Sequence, residues 1–425
     1  MSPPAPLNGH RASRFGNRVL MYSHDTYGLG HLRRSFLLAG GLTATPEVDS
    51  VLITTGSPRA QAFAVPDGCD TVKLPALTKG SGGAYEPRTL GLPLADTLRI
   101  RAELIQGAFD SYRPQVVMVD HSPVGANGEL WPLFRRLRHA AARPHMVLGL
   151  RDIIDDAGSV AAEWSRLDAW QALDQIYDRI LVYGDPAILT TAQELGLERR
   201  FPGKVRFTGY LTRPLPTPEP GPTVEPTILV TVGGGGDGIA VLDAYAEYLA
   251  GMGDDPGFRT VIVTGPFLDE DRRAQLTARL DCIEAPLEVV GFLEGLETHL
   301  ASAAGVIAMG GYNTVTELLR SPARVMVVPR SRPRLEQTIR AQRLAATAGF
   351  EVADAATCTP ERIGSFVTRT LAASGPRRTR LPLRLDGQVE AAAQVGSLLA
   401  TPRRVTTVPT AEPSPVEEAA HVAVG

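Results

Sequence analysis

Cysteine is scarce: 425 residues carry three, Cys69, Cys282 and Cys358. Their wide spacing matches no metal or redox motif, so buried or idle thiols in a reducing compartment are expected. Charge bias is also missing. With 43 Lys and Arg against 46 Asp and Glu the net charge is −3, which gives no global pull toward nucleic acid. No apolar run approaches the roughly 20 residues that a membrane helix needs. The opening "MSPPAPLNGHRASRFGN" lacks the apolar stretch of a secretory signal. The expected location is cytoplasmic, with peripheral membrane contact left open.

What is present is an ordinary globular composition, 44% hydrophobic and 21% charged. The length exceeds what one core sustains, so two domains are expected. From residue 18, short β-branched runs alternate with amphipathic stretches: "RVLMYS", "SVLITT", "TVKLP", "QVVMVD", "HMVLGL" and "RILVYG". That alternation implies a parallel sheet flanked by helices. The proline-loaded stretch 213–226 breaks it and reads as a linker. It then restarts with "TILVTV", "RTVIVT", "LEVVGF", "GVIAM" and "RVMVVP". The expected division is a disordered start (1–17), an N-terminal Rossmann-like domain (18–212), the linker, a C-terminal domain (227–400) and a polar, Pro-rich disordered tail (401–425). Two doubly wound domains would face each other across a cleft at the C-terminal edges of their sheets, where α/β folds place ligands.

The strongest motif is "GVIAMGGYNTVTELL", residues 305–319. A buried strand stops at Met309, Gly310 and Gly311 turn the chain, and a helix starts near Tyr312 or Asn313. Such a start offers open N–H donors and the positive end of a dipole to an anion. Asn313 and Thr314 add short polar side chains at capping positions. Glu317 falls one turn further on the same face. The rise of about 5.4 Å per turn suits a carboxylate that accepts from a ribose diol behind a diphosphate. Read alone, the glycines could merely cap a strand and Glu317 be a solvated charge. A second strand ends in Gly233, Gly234, Gly235 and Gly236 before another helix, and two such turns at one sheet edge suit two phosphates. No Gly-Lys-Ser/Thr follows either run, which weighs against ATP hydrolysis.

The segment from "GFLEGLETHL" to "RLAATAGF" resembles the C-terminal domain of GT-B glycosyltransferases, most closely family 28, which includes the bacterial GlcNAc transferase of lipid-linked peptidoglycan precursors. The likeness spans roughly residues 226–372, with a weaker one at 18–45. It implies that the glycine-opened helix start holds the donor diphosphate and that Glu317 holds the ribose. Glu336 and Gln337 fall where donor-sugar hydroxyls are read; Arg340-Ala341 stands where the family often has Asn-Ala, a departure that bears on the sugar.

In the first half, "HDTYGLGHLRR" (24–34) follows the opening strand. It fails the dinucleotide pattern because Arg33 occupies the third small-residue position, so NAD is disfavoured. Gly28 and Gly30 instead let a tight loop project His31 into the cleft and approach the donor phosphates. By the resemblance, His31 is the candidate base for an acceptor hydroxyl; His24 is a second candidate for base or cleft ligand, or instead orients its neighbour. A neutral imidazole near its reference pKa of about 6.5 can accept a proton, and the helix start helps keep it neutral. Arg33 and Arg34 suit an anion or a solvated helix face. Strand-end pairs Asp120-His121 and Arg151-Asp152 suit acceptor contact, and Asp120 a substitute base. Asp269-Glu270-Asp271 mimics a metal motif but reads as a helix start.

The function these readings imply is an inverting, metal-independent transfer of a hexose-type sugar from a nucleotide diphosphate, UDP by family expectation, to an unknown acceptor. No cofactor and no nucleic-acid partner are expected. The alternatives are a nucleotide-sugar hydrolase or epimerase on the same fold, or a non-catalytic nucleotide-sugar sensor.

Overall fold

A computed structural model describes residues 16–25, 30–60, 64–80, 84–140, 142–217, 225–252, 256–293, 295–373, 375–377 and 381–401. Gly28, half of the expected linker and nearly all of both expected disordered termini lie outside the described residues.

The first lobe is built on a seven-stranded, all-parallel sheet in the order β3-β2-β1-β6-β7-β8-β9. Its strands are β1 (Arg18–Ser23), β2 (Ser50–Thr55), β3 (Cys69–Lys73), β6 (Val116–Asp120), β7 (His145–Arg151), β8 (Arg179–Tyr183) and β9 (Val205–Phe207). A small antiparallel hairpin, β4 (Leu77–Lys79) and β5 (Tyr85–Pro87), stands beside it. The second sheet is also all-parallel, in the order β12-β11-β10-β13-β14-β15. Its strands are β10 (Thr227–Thr231), β11 (Arg259–Val263), β12 (Leu287–Val290), β13 (Gly305–Ala308), β14 (Arg324–Val327) and β15 (Glu351–Val352). Central strands are buried along their whole length, as in β6 and β13, which is why they read as unbroken apolar runs.

In each sheet the strand order reverses beside the first strand, between β1 and β6 and between β10 and β13. Those reversals are where doubly wound sheets open a crevice for ligands. The expected α/β class and the two Rossmann-like domains are both present.

One buried cluster runs through both lobes, from Val19 and Leu42 to Leu229 and Val327. The last helix, Gly387–Leu399, falls in the sequence span expected of the second domain but packs on the Gly30–Thr43 helix of the first. Leu38 and Leu42 share a core with Ala391, Val395 and Leu398, and Gly41 leaves room only for the Gln388 backbone.

Candidate functional site

The two crevices form one cleft of about 710 Å³. It is lined by seven Lys and Arg side chains against two carboxylates, Asp237 and Glu336, so the cavity favours a polyanion.

His31 sits in the first turn of the Gly30–Thr43 helix and lines the cleft. Its Nδ1 lies 2.6 Å from Asp120 Oδ2, at the end of β6. Arg34, one turn along, donates to both Asp120 oxygens at 2.8 Å and is itself buried. Burial works to raise the Asp120 carboxyl, but Arg34 and His31 outweigh it and hold the group well below the usual carboxylate range. An ionised Asp120 fixes the proton on Nδ1, leaving the Nε2 lone pair as the free site. Arg34 Nη2 also approaches Nδ1, at 2.8 Å, but a protonated Nδ1 has no lone pair to offer it. Burial pulls the His31 pKa below its ordinary value despite Asp120. The result is an oriented, neutral imidazole.

Two further histidines complete this wall. The His24, His31 and His121 ring centroids lie 5.1–5.6 Å apart. His24 Nε2 meets the Tyr85 hydroxyl at 2.9 Å. Below it the Tyr22 hydroxyl donates to Glu129 at 2.6 Å, and Glu129 forms a fully buried pair with Arg101. Burial first, then His31 for His24 and Arg151 for His121, hold both imidazoles well below their ordinary pKa. His121 has a left-handed backbone, φ 67°, a strained state for a non-glycine residue.

The opposite wall is made of backbone. Gly233, Gly234, Gly235 and Gly236 line the cleft after β10. Gly235 (φ 91°) must be glycine: a Cβ would lie 2.5 Å from the Thr264 carbonyl oxygen. Gly311 begins the Tyr312–Arg320 helix with φ −63°, and no side chain caps that helix. Nothing lies within 4 Å of where a Gly311 Cβ would be, so the first-turn N–H groups open onto the cleft.

Gly30, Asn313, Thr314, Glu336 and Gln337 also line it. Asn313 does not cap its own helix; its amide donates across the cleft to the Gly30 carbonyl at 3.0 Å. Glu336 pairs with Arg330 at 2.9 Å. Burial would raise its pKa, but Arg151 and Arg330 outweigh it and lower it. Its Oε2 is buried without a hydrogen-bond partner. The Gln337 side-chain oxygen accepts from the Arg330 backbone at 3.2 Å.

Other sequence candidates stand elsewhere. Gly310 is packed beneath Gln337 and Pro329 and does not line the cleft. Glu317 lies in a small adjoining recess, its carboxylate 2.9 Å from Arg33 of the other lobe; burial raises its pKa against Arg33. Arg340, which follows Glu336 and Gln337 on the same helix, is fully buried. It binds Asp152 at 2.9 Å, the Ile153 carbonyl and the Gly310 carbonyl. It clamps one lobe to the other. Asp269 caps its helix by accepting from the Arg272 amide, as its helix-start reading required. Among the described residues no group of His, Cys, Asp or Glu is placed to hold a metal, and no helix is long and apolar enough to cross a membrane.

The sequence reading missed Arg34 as the partner of Asp120, although its i+3 offset from His31 was the available signal. Lys79 and Tyr85 were missed with their hairpin, which carries no clear alternation. Phe267 and Phe292 line the cleft beside the glycine runs.

No protein-family model matches the chain, and no curated protein matches its sequence. Solved structures do resemble it. CalG4, the calicheamicin glycosyltransferase, matches at TM-score 0.60 and 17% identity over 91% of this chain and 100% of its own. LpCGTa in complex with UDP matches at TM-score 0.56 and 14% identity over 90% and 94%. A UDP-N-acetylglucosamine 2-epimerase matches at TM-score 0.56 and 12% identity, again over 90% and 94%. These likenesses establish the fold: two Rossmann-like domains in the GT-B arrangement.

Proposed function

We propose that this protein is an inverting, metal-independent glycosyltransferase that uses a nucleotide-diphosphate sugar, with UDP as the nucleotide. The observation that carries the reading is the Asp120-oriented His31 imidazole on one cleft wall, opposite the uncapped helix start at Gly311 on the other. His31 Nε2 takes the proton of the acceptor hydroxyl. The oxygen forms its bond to the anomeric carbon as the bond from that carbon to the diphosphate breaks. The departing negative charge falls on the Tyr312–Arg320 helix start and the glycine run, which do the work a metal does elsewhere. The free Glu336 Oε2 and Gln337 accept and donate to sugar hydroxyls. A ribose on Glu317 requires Arg33 to be displaced from it.

The fold is shared with glycosyltransferases and with a structure that contains UDP. It is also shared with UDP-N-acetylglucosamine 2-epimerases, and that favours an epimerase as the second reading. Two measurements decide. UDP titrated calorimetrically should bind, and Glu317→Ala should weaken it; unchanged affinity removes the ribose assignment. Incubation of a UDP-sugar panel without acceptor should leave the sugars intact. Accumulation of an epimer, or fast His31-dependent sugar release, would replace the transferase reading with the epimerase or hydrolase one.

A further inference from the structure

Donor phosphates have their partners in the glycine-opened wall, yet the cleft holds more positive charge than those glycines need. Arg33, Arg34, Arg330 and Arg334 each have a carboxylate, on Glu317, Asp120, Asp237 with Glu336, and Glu163 respectively. Arg151, the last residue of β7, makes no ion pair and no side-chain hydrogen bond among the described residues, and its Nε is buried without a partner; Glu336 and Asp120 attract its charge only from beyond contact. Beside it, His121 is 9% exposed and its Nδ1 is likewise buried and unpartnered. The strained backbone at His121 holds that ring on the cleft wall 5.1 Å from the His31 ring. Lys79 brings another cation to the same wall from the hairpin.

Two buried unsatisfied groups and an unpaired cation are costly features to keep together in a folded protein. Their cost is offset when a ligand supplies the missing acceptor. Burial and Arg34 push the Arg151 guanidinium down to about 10, still charged at neutral pH. Burial and Arg334 push Lys79 down to about 8. An oxyanion would relieve both.

We propose that Arg151, with His121 and Lys79, forms an oxyanion subsite for the acceptor, so that the molecule receiving the sugar carries a carboxylate or phosphate monoester near its reactive hydroxyl. The subsite belongs to the lobe that holds His31, across the cleft from the donor loops, which assigns it to the acceptor. The inference rests on the transferase reading above.

The test uses the whole protein saturated with UDP and three small probes: glucose 6-phosphate, methyl glucuronide and neutral methyl glucoside. At least one anionic probe should bind about ten- to a hundredfold more tightly than methyl glucoside, the range expected of a charged hydrogen bond. The two anionic arms tell phosphate from carboxylate. Arg151→Gln should abolish the preference while leaving UDP affinity unchanged and the thermal midpoint no lower, and Arg151→Lys should restore part of it. Equal binding of all three probes by the unmodified protein overturns the proposal. So does a fall in UDP affinity in Arg151→Gln, which would give Arg151 to the donor. Failure to bind UDP at all sinks the donor reading instead, and the anion preference is then read from the same titrations on the unliganded protein.

Discussion

In the N-terminal lobe β1, β6 and β7 run out into His24-Asp25, Asp120-His121 and Arg151-Asp152. In the C-terminal lobe the counterparts β10 and β13 run out into Gly233 and Gly310-Gly311, and β14 into Pro329-Arg330. Apart from β9 the strand order is the same, but at the reversal beside the first strand one lobe delivers titratable side chains to the cleft and the other delivers glycine backbone. The two surfaces suit different tasks. Backbone N–H groups and a helix dipole hold a diphosphate at any pH without competing for protons. Side chains held in a buried network can set a proton's position and the pKa that goes with it.

The sharpest way to break this contrast is at the proton. His31→Ala should cut turnover by about 10²–10⁴-fold while UDP affinity, measured by calorimetry, stays put. Asp120→Asn should cut it less and move the acid limb of the rate profile to lower pH, because Asp120 raises the His31 pKa. Equal losses of turnover and UDP affinity would merge the two roles.

The seam between the lobes comes next. Arg340→Met leaves Asp152 buried and unpaired and should destabilise the protein by about 3–5 kcal/mol, read from denaturant unfolding. Replacing both partners by apolar residues should recover most of that.

On the glycine wall the effect should depend on position. Gly235→Ala forces a strained φ and a clash with backbone and should cost about 1–3 kcal/mol, with weaker UDP binding. Gly311→Ala, at an ordinary φ with open space around it, should leave stability within about 0.5 kcal/mol.

The last test concerns acid. His24 and His121 have folded pKa values held below their unfolded value by burial, so below that unfolded value, about 6.5, the unfolded chain binds protons that the folded one refuses. Stability should therefore fall as pH drops below about 6.5, with each histidine adding a slope of up to about 1.4 kcal/mol per pH unit. His121→Gln should flatten the curve. A stability curve level from pH 7 to 5 would remove the neutral-histidine wall from the contrast.

Much of this was legible in the sequence because buried parallel strands are near-pure apolar runs and glycines mark where they stop. The strand from Arg18, the turn at Gly311 and the cap at Asp269 could all be read that way. Partner choice across the cleft could not. Glu317 meets Arg33 over 284 residues of sequence and Arg340 meets Asp152 over 188, and no local pattern encodes either. The hairpin that supplies Lys79 and Tyr85 has three-residue strands, too short for a period to register. β15, with two residues, has the same problem.

The final helix, Gly387–Leu399, returns to lie against the helix that begins at Gly30. The first lobe is therefore not a contiguous length of chain. A graft that swaps everything after residue 226 would also replace a piece of the N-terminal lobe's hydrophobic interior. A chimera that keeps this protein's own residues from about 384 onward, and exchanges only the stretch between, should be the one that folds.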